Sequence, residues 1–153
     1  MTLRSVVASV VAVITVSAAS MVAALTVIGG TAAATTVESP CQQGSVCLWS
    51  QPNFTGLTHT SVRSVPSWGA LTYDGTQIPL TSATHPVTSV DNRGNGFRVA
   101  LYYNSGYRGP CFTVAAHGTV SDLRQVRLSD GSSAHRRMTS HAVNRSCGPV
   151  YDF

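Results

Sequence analysis

A nine-residue pattern occurs twice in this chain, and it constrains the fold more than any other feature of the sequence. "LWSQPNFTG", which starts at Leu48, and "LYYNSGYRG", which starts at Leu101, match at an offset of 53 in their leucine, aromatic and glycine positions. A looser echo joins "TSVDNR" to "SHAVNR" at an offset of 52. Echoes in one order and at nearly one spacing predict two similar units, at about 41–93 and 94–147.

The segments in and around the repeat have the composition of short strands. "SVCLW", "FRVALYY" and "CFTVA" are rich in β-branched and aromatic residues, and turn residues interrupt the chain about every 8 to 12 positions. The sequence offers no long amphipathic helix, although 120–128 could form one short helical turn. We therefore expect an all-β fold in which two Greek-key units form a sandwich.

The start of the chain has the pattern of a secretion signal. Arg4 is the only charged residue before Glu38, and the apolar run between them ends in glycines and alanines. This order is typical of a cleaved signal peptide, although the run is also long enough to be a membrane anchor. We expect a signal peptide at 1–34 and a single extracellular domain at 35–153.

The four cysteines are Cys41, Cys47, Cys111 and Cys147. An even number in an exported chain indicates two disulfides, for which three pairings are possible. Closeness in sequence favours Cys41 with Cys47, which leaves Cys111 with Cys147. A zinc site is disfavoured because the chain has no C-x-x-C pair and thiols in an oxidising compartment pair with each other.

The repeated aromatic-x-Gly pattern resembles the Greek-key unit of the βγ-crystallin family, in which a glycine lets an aromatic residue fold over a hairpin. "C-x5-C-L-W…P-N-F-x-G", followed by "V-T-S-V-D-N", resembles the secreted actinobacterial peptidase inhibitors typified by Streptomyces metalloproteinase inhibitor. This resemblance implies one crystallin-like domain with two disulfides, and a function without catalysis or cofactor. The implied partner is an extracellular metalloprotease of the thermolysin type, bound by a substrate-like loop.

The same resemblance places the inhibitory loop at four consecutive residues, Pro110, Cys111, Phe112 and Thr113. Its reactive bond would join Cys111 to Phe112, and Phe112 would fill a hydrophobic pocket of the peptidase. A loop stiffened by proline and a disulfide loses little entropy on binding. The chain departs from the family pattern at Ala116, where the family has a second cysteine, and "CFTVA" fits a buried strand as well. Exposure of 109–114 would favour inhibition, and burial would favour a binding module.

Two other functions compete with inhibition. One is a non-inhibitory crystallin-like binding or stress module with a weak calcium or cell-wall ligand. "THPVTS" (84–89) and "LSDGSS" (128–133) keep the hydroxyls of the calcium motif but lack the carboxylates that a hard cation needs. The other is a membrane-active toxin whose basic face would comprise Arg124, Arg127, Arg136 and Arg137.

The charge pattern and the short motifs exclude several classes of function. The net charge is +4 with neutral histidines, and the basic residues, all arginine, are scattered, so we expect no nucleic-acid partner. We also expect no membrane partner for the mature form, and a monomer. H-E-x-x-H and G-x-S-x-G are absent, so we predict no catalytic or metal residues. The histidines are expected at the surface, and Trp68 is a candidate partner contact in a loop.

Overall fold

The computed structural model describes residues 41–153; the predicted signal peptide at 1–34 lies outside the described residues. The elements are β1 (Val46–Gln51), β2 (Thr55–Ser61), β3 (Ser89–Asn92), β4 (Val99–Asn104), β5 (Arg108–Val114), β6 (Thr119–Val120), a 3-10 turn (Leu123–Gln125), β7 (Ser140–Val143) and β8 (Val150–Tyr151). Within this part of the chain, none of the helical structure is long and apolar enough to cross a bilayer.

The strands form two four-stranded sheets, which confirms the predicted all-β sandwich. The first sheet has the order β2-β1-β3-β6 and the second has the order β7-β4-β5-β8. Each half of the chain contributes to the sheet of the other half. β6, from the second half, joins the first sheet, and Val65, from the first half, bridges to His141 on β7. Alternate residues of the central strands, such as Leu48 and Leu101, are fully buried in the common core.

The internal repeat is present as repeated strand register. Val46 lies opposite Ser61 in the first hairpin, and Val99 lies opposite Val114 in the second, so both partners shift by the predicted 53 residues. Each hairpin also has an irregularity at the same point, just before its turn. The repeat therefore consists of two equivalent folded hairpins, β1–β2 and β4–β5.

The equivalence of β3 and β7 differs from the predicted one by a single residue. Ser89 lies opposite Trp49, and Ser140 lies opposite Tyr102, so the offset is 51 rather than the 52 at which the sequences were matched. Aligning the Asn-Arg pairs of the two segments suggested a register that is wrong by one residue. In a strand a slip of one residue moves every side chain to the other face of the sheet, so the hydrogen-bond pattern decides which serines correspond.

Both hairpins use left-handed backbone at corresponding positions. Gly56 and Gly109 each have φ of +78°, and the aromatic residues two positions earlier, Phe54 and Tyr107, have φ of +58° and +60°. A Cβ on Gly56 would lie 2.6 Å from the Ser50 hydroxyl. The glycines therefore permit a tight approach that another residue could not make without strain, as the sequence predicted.

Candidate functional site

Both disulfides lie on the outer faces of the sheets, beside the aromatic residues of the hairpins. Cys41 bonds Cys47 and Cys111 bonds Cys147, each with a Cα–Cα distance of 5.7 Å, which is the favoured pairing. In the first sheet Trp49 and Phe54 pack on the disulfide, and in the second Tyr102 and Tyr107 do so. Two equivalent outer clusters therefore exist, and each contains one disulfide.

The predicted inhibitory loop, Pro110 to Thr113, is a strand in this structure. Phe112 is 0% exposed, and it lies opposite Leu101 within the β4–β5 pair and edge-on to Tyr151, with ring centroids 6.0 Å apart. Cys111 and Thr113 are also buried. The expectation of an exposed loop at 109–114 is therefore not met beyond its first residues, because the apolar side chains of this strand complete the core.

The other end of the second disulfide has the opposite character. From Asn144 to Val150 every residue is exposed except Cys147, which is half-buried. The Cys147 N–H donates to the Thr113 hydroxyl at 2.8 Å, and that hydroxyl donates to the Cys147 carbonyl at 2.9 Å. An exposed segment is therefore attached to the sheet at its centre by one covalent and two hydrogen bonds.

The backbone on either side of Cys147 is shaped by two left-handed residues. Asn144 has φ of +57° and Gly148 has φ of +66°. A Cβ on Gly148 would collide with the Cys111 carbonyl, so the residue must be glycine. Sequence reasoning missed this segment, although "NRSCGP" contains a signal for it: turn-forming residues on both sides of a cysteine.

The exposed segment contains one arginine and contacts a second. The Arg145 guanidinium lies over the Tyr107 ring, 5.4 Å from its centroid, and Arg98 Nη1 donates to the Ser146 hydroxyl at 3.1 Å. Among the described residues the ion pairs involve other side chains, so neither arginine is neutralised by an acid. Both charges are available to a partner.

A buried hydrogen-bond network joins the two halves of the domain, and it corrects two predictions. Trp68 and His141, expected at the surface, are both 0% exposed. The Trp68 indole N–H donates to His141 Nδ1 at 2.9 Å, and His141 Nε2 lies 3.1 Å from both the Ser61 hydroxyl and the Arg63 carbonyl. Burial lowers the pKa of His141 to about 4, so the imidazole is neutral, with its proton on Nε2.

Most of the polar side chains in the calcium-like motifs bond other groups of the protein. Asp130 Oδ1 accepts from the N–H and the hydroxyl of Ser132, which lowers the pKa of Asp130. Thr84 pairs with His85 at 2.9 Å, and the buried Thr88 hydroxyl has no protein partner. Within 41–153 no cluster of three His, Cys, Asp or Glu residues is placed to hold a metal ion.

The four arginines of the proposed basic face have different environments. Arg124 is bound to Asp122 at 2.6 Å, and this pairing lowers the pKa of the Asp122 carboxyl. Arg136 and Arg137 line two cavities of about 300 and 390 Å³, and Arg137 lies over the Tyr103 ring at 5.8 Å. One of the four charges is thus already neutralised, which weakens the toxin hypothesis.

Comparison with known protein families gives independent evidence on the function. The model of peptidase inhibitor family I36 matches residues 34–114, just over half of the chain. This chain belongs to peptidase inhibitor family I36. The matched region covers the first hairpin, β3 and the whole β4–β5 hairpin. Membership supports a role as a peptidase inhibitor rather than an enzyme, and it confirms the resemblance to peptidase inhibitors found in the sequence. No curated protein sequence matches the chain.

A solved structure supports the fold of this member of family I36 independently. A βγ-crystallin domain from work on the evolution of the eye-lens fold is 18% identical, with a TM-score of 0.50, over 69% of this chain and 88% of that one. The N-terminal domain of protein S is 18% identical (TM-score 0.47; 67% and 96% covered), and a βγ-crystallin from Ciona intestinalis is 13% identical (0.45; 65% and 98%). The first of these likenesses shows that the fold is βγ-crystallin-like.

Proposed function

We propose that this protein is a secreted inhibitor of extracellular metalloproteases of the thermolysin type. The family match over residues 34–114 is the observation that carries the proposal. The narrower target rests on the resemblance of the cysteine, tryptophan and "PNFTG" pattern to metalloproteinase inhibitors. Secretion is supported by the N-terminal signal pattern and by two disulfides, which persist in oxidising compartments.

The framework suits a protein that must survive contact with a peptidase. Both sheets are tied at their outer faces by a disulfide, and each folded hairpin is closed by an aromatic residue. Binding to an inhibitor whose surface is already fixed loses little conformational entropy, so affinity does not require a large interface. Local opening, which peptidases need for cleavage, is also disfavoured by crosslinks.

The predicted reactive bond between Cys111 and Phe112 requires a further step in this proposal. β5 is paired with β4 on one side and β8 on the other, and Phe112 is fully buried. Entry of this bond into a peptidase cleft therefore needs β5 to separate from its neighbours. Removing Phe112 from the core would cost about 2 to 3 kcal/mol in lost apolar burial.

The proposal is tested with the exported product of the full chain. Its N-terminal sequence reports whether the signal is removed after Ala34. The purified protein, with its disulfides intact, is titrated against a thermolysin-like metalloprotease and, for comparison, against a trypsin-like and a subtilisin-like serine peptidase. We expect stoichiometric inhibition of the metalloprotease alone. Inhibition of a serine peptidase alone would contradict the target class, and no inhibition at about micromolar concentration would contradict the inhibitory function for these enzymes.

One observation favours a second candidate, a non-inhibitory binding module. The burial of 111–114 is the arrangement expected if this segment is part of a sheet and does not contact a peptidase. The discriminating measurement is calorimetric titration with calcium and with cell-wall polysaccharide. A saturable heat of binding together with absent inhibition would favour the module.

A further inference from the structure

We propose that segment 144–149, together with Arg98, is the surface through which this inhibitor binds its peptidase, and that the peptidase carries acidic groups around its cleft. The inference rests on the proposed function and deepens it by naming the contact surface and the charge of the partner. It moves the contact from the buried end of the second disulfide, Cys111, to the exposed residues around its half-buried end, Cys147.

The first argument is that this segment is exposed and fixed at the same time. Its centre is held by the Cys147 disulfide and by the reciprocal hydrogen bonds to Thr113. Its ends are held by two backbone bonds, from the Asn144 N–H to the Arg98 carbonyl at 2.9 Å and from the Thr113 N–H to the Pro149 carbonyl at 2.8 Å. A segment with this many anchors reaches a partner already in its bound shape, which reduces the entropy lost on association.

The second argument is the contrast with the first disulfide. Cys41 is 5% exposed and Cys47 is fully buried, beneath Trp49 and Phe54. The short loop that this crosslink closes has two exposed residues, Gln42 and Gln43, and neither carries a charge. The crosslink in the second sheet ends in a longer exposed segment that carries Arg145, so the second disulfide offers the larger and the charged surface to a cleft.

The third argument is charge. Arg145 and Arg98 are exposed and flank Ser146, and no acid pairs with either of them among the described residues. The Arg145 cation–π contact with Tyr107 is a weak interaction because the site is exposed, so the guanidinium can move to a stronger partner. Two unpaired positive charges at a contact surface favour a partner with negative charge around its binding site, because complementary charge accelerates encounter.

The test compares charge reversals at equally exposed positions in the exported, disulfide-bonded protein. Arg145→Glu and Arg98→Glu change the proposed surface, and Arg136→Glu is the matched control. Arg136 is also exposed and outside the described ion pairs, but it precedes β7, whereas Asn144 follows that strand. The inhibition constant and the association rate are measured at low and high salt against whichever peptidase the wild-type protein inhibits, and the melting temperature is recorded for each variant.

We expect Arg145→Glu to weaken inhibition about tenfold, mainly through a slower association rate whose salt dependence is reduced, while loss of the weak contact with Tyr107 lowers the melting temperature by only a few degrees. Arg98→Glu should act in the same direction, and Arg136→Glu should change the constant less than about twofold. Hydrogen exchange of the complex should show protection at residues 144–148. If the wild type inhibits and the Arg145 variant matches the control, this inference alone is overturned. If the wild type inhibits none of the peptidases, the proposed function fails first and this inference with it.

Discussion

The outer faces of the two sheets are built alike but hold different segments of the chain. Each has a folded hairpin with a left-handed glycine, an aromatic pair and a disulfide at its side. In the first sheet the disulfide joins Cys47 to Cys41, and both cysteines are buried. In the second sheet it reaches from the buried Cys111 to Cys147, 36 residues later, in an exposed segment.

The comparison separates what the fold requires from what this protein adds to it. The glycines and aromatic residues recur at an offset of 53 because each hairpin needs them to close. The Cys111–Cys147 crosslink has no counterpart of its kind in the first half. In a pseudo-symmetric fold the departures from symmetry are therefore the places to look for function, since function depends on sites and one fold supports many functions.

The two halves should differ most in how much stability is lost by mutating the residue that pairs with the leucine of the central strand, β1 or β4. Phe112 occupies this place in the second hairpin and His59 in the first. Replacing the fully buried Phe112 by Ala should lower the free energy of unfolding by about 4 kcal/mol, because it opens a cavity in the core. His59→Ala should cost about 1 kcal/mol, since it removes a partly exposed ring that bonds the Thr72 carbonyl. Denaturant unfolding measures both.

Phe112→Ala also tests the predicted reactive bond. If Phe112 also fills a peptidase pocket, the substitution will abolish inhibition even at temperatures where the variant remains folded. A loss of stability, with inhibition retained at temperatures where the variant remains folded, would place Phe112 in the core alone. Leu101→Ala, at the position opposite Phe112, serves as the control for a core residue outside the predicted bond.

The next difference concerns His141, which lies opposite Leu101 in the second half. In the first half the corresponding place, opposite Leu48, is occupied by Val90. The pKa of His141 falls from 6.5 to about 4 on folding, because of burial. Below pH 6.5 His141 binds a proton in the unfolded chain but not in the folded protein. The contribution of neutral His141 to the free energy of unfolding is therefore fully present above pH 6.5 and declines as the pH falls to 4. The decline should approach about 3 kcal/mol.

His141→Gln isolates this contribution, because an amide can accept from Trp68 and donate to Arg63 without titrating. The variant should show a flatter dependence of unfolding free energy on pH between 6.5 and 4, measured by denaturant titration at several pH values. A wild-type slope that persists in the variant would mean that other groups, such as His135, whose pKa burial also lowers, are responsible.

The sequence alone predicted the features that depend on local structure, but it did not predict those that depend on contacts between distant residues. The left-handed glycines were predictable because a turn needs them, and the favoured disulfide pairing followed from spacing. The burial of Trp68 was not predictable, because its partner His141 is 73 residues away. The Pro110–Thr113 strand was assigned to a loop by resemblance, although its β-branched and aromatic pattern already fitted a strand. The exposed segment at 144–149 was missed because exposure depends on which strands cover it.

The smallest expected difference between the two halves concerns the serines that close the hairpins. The Ser89 hydroxyl donates to the Gln51 carbonyl at 2.7 Å and accepts from the Phe54 N–H at 3.2 Å. The Ser140 hydroxyl makes the corresponding contacts with Asn104, at 2.8 Å, and Tyr107, at 3.3 Å.

Removing either hydroxyl leaves two backbone groups of a tight turn without a partner. Ser89→Ala and Ser140→Ala should therefore each lower the free energy of unfolding by about 1 to 2 kcal/mol. The two values should agree within about 0.5 kcal/mol, and the double variant should show their sum, because the serines lie in different sheets and share no partner. If Ser140→Ala costs much more than Ser89→Ala, the second hairpin depends on its serine in a way that the first does not. The two hairpins would then be equivalent in geometry but not in energetics. The second half would differ from the first in its hairpin as well as in its disulfide.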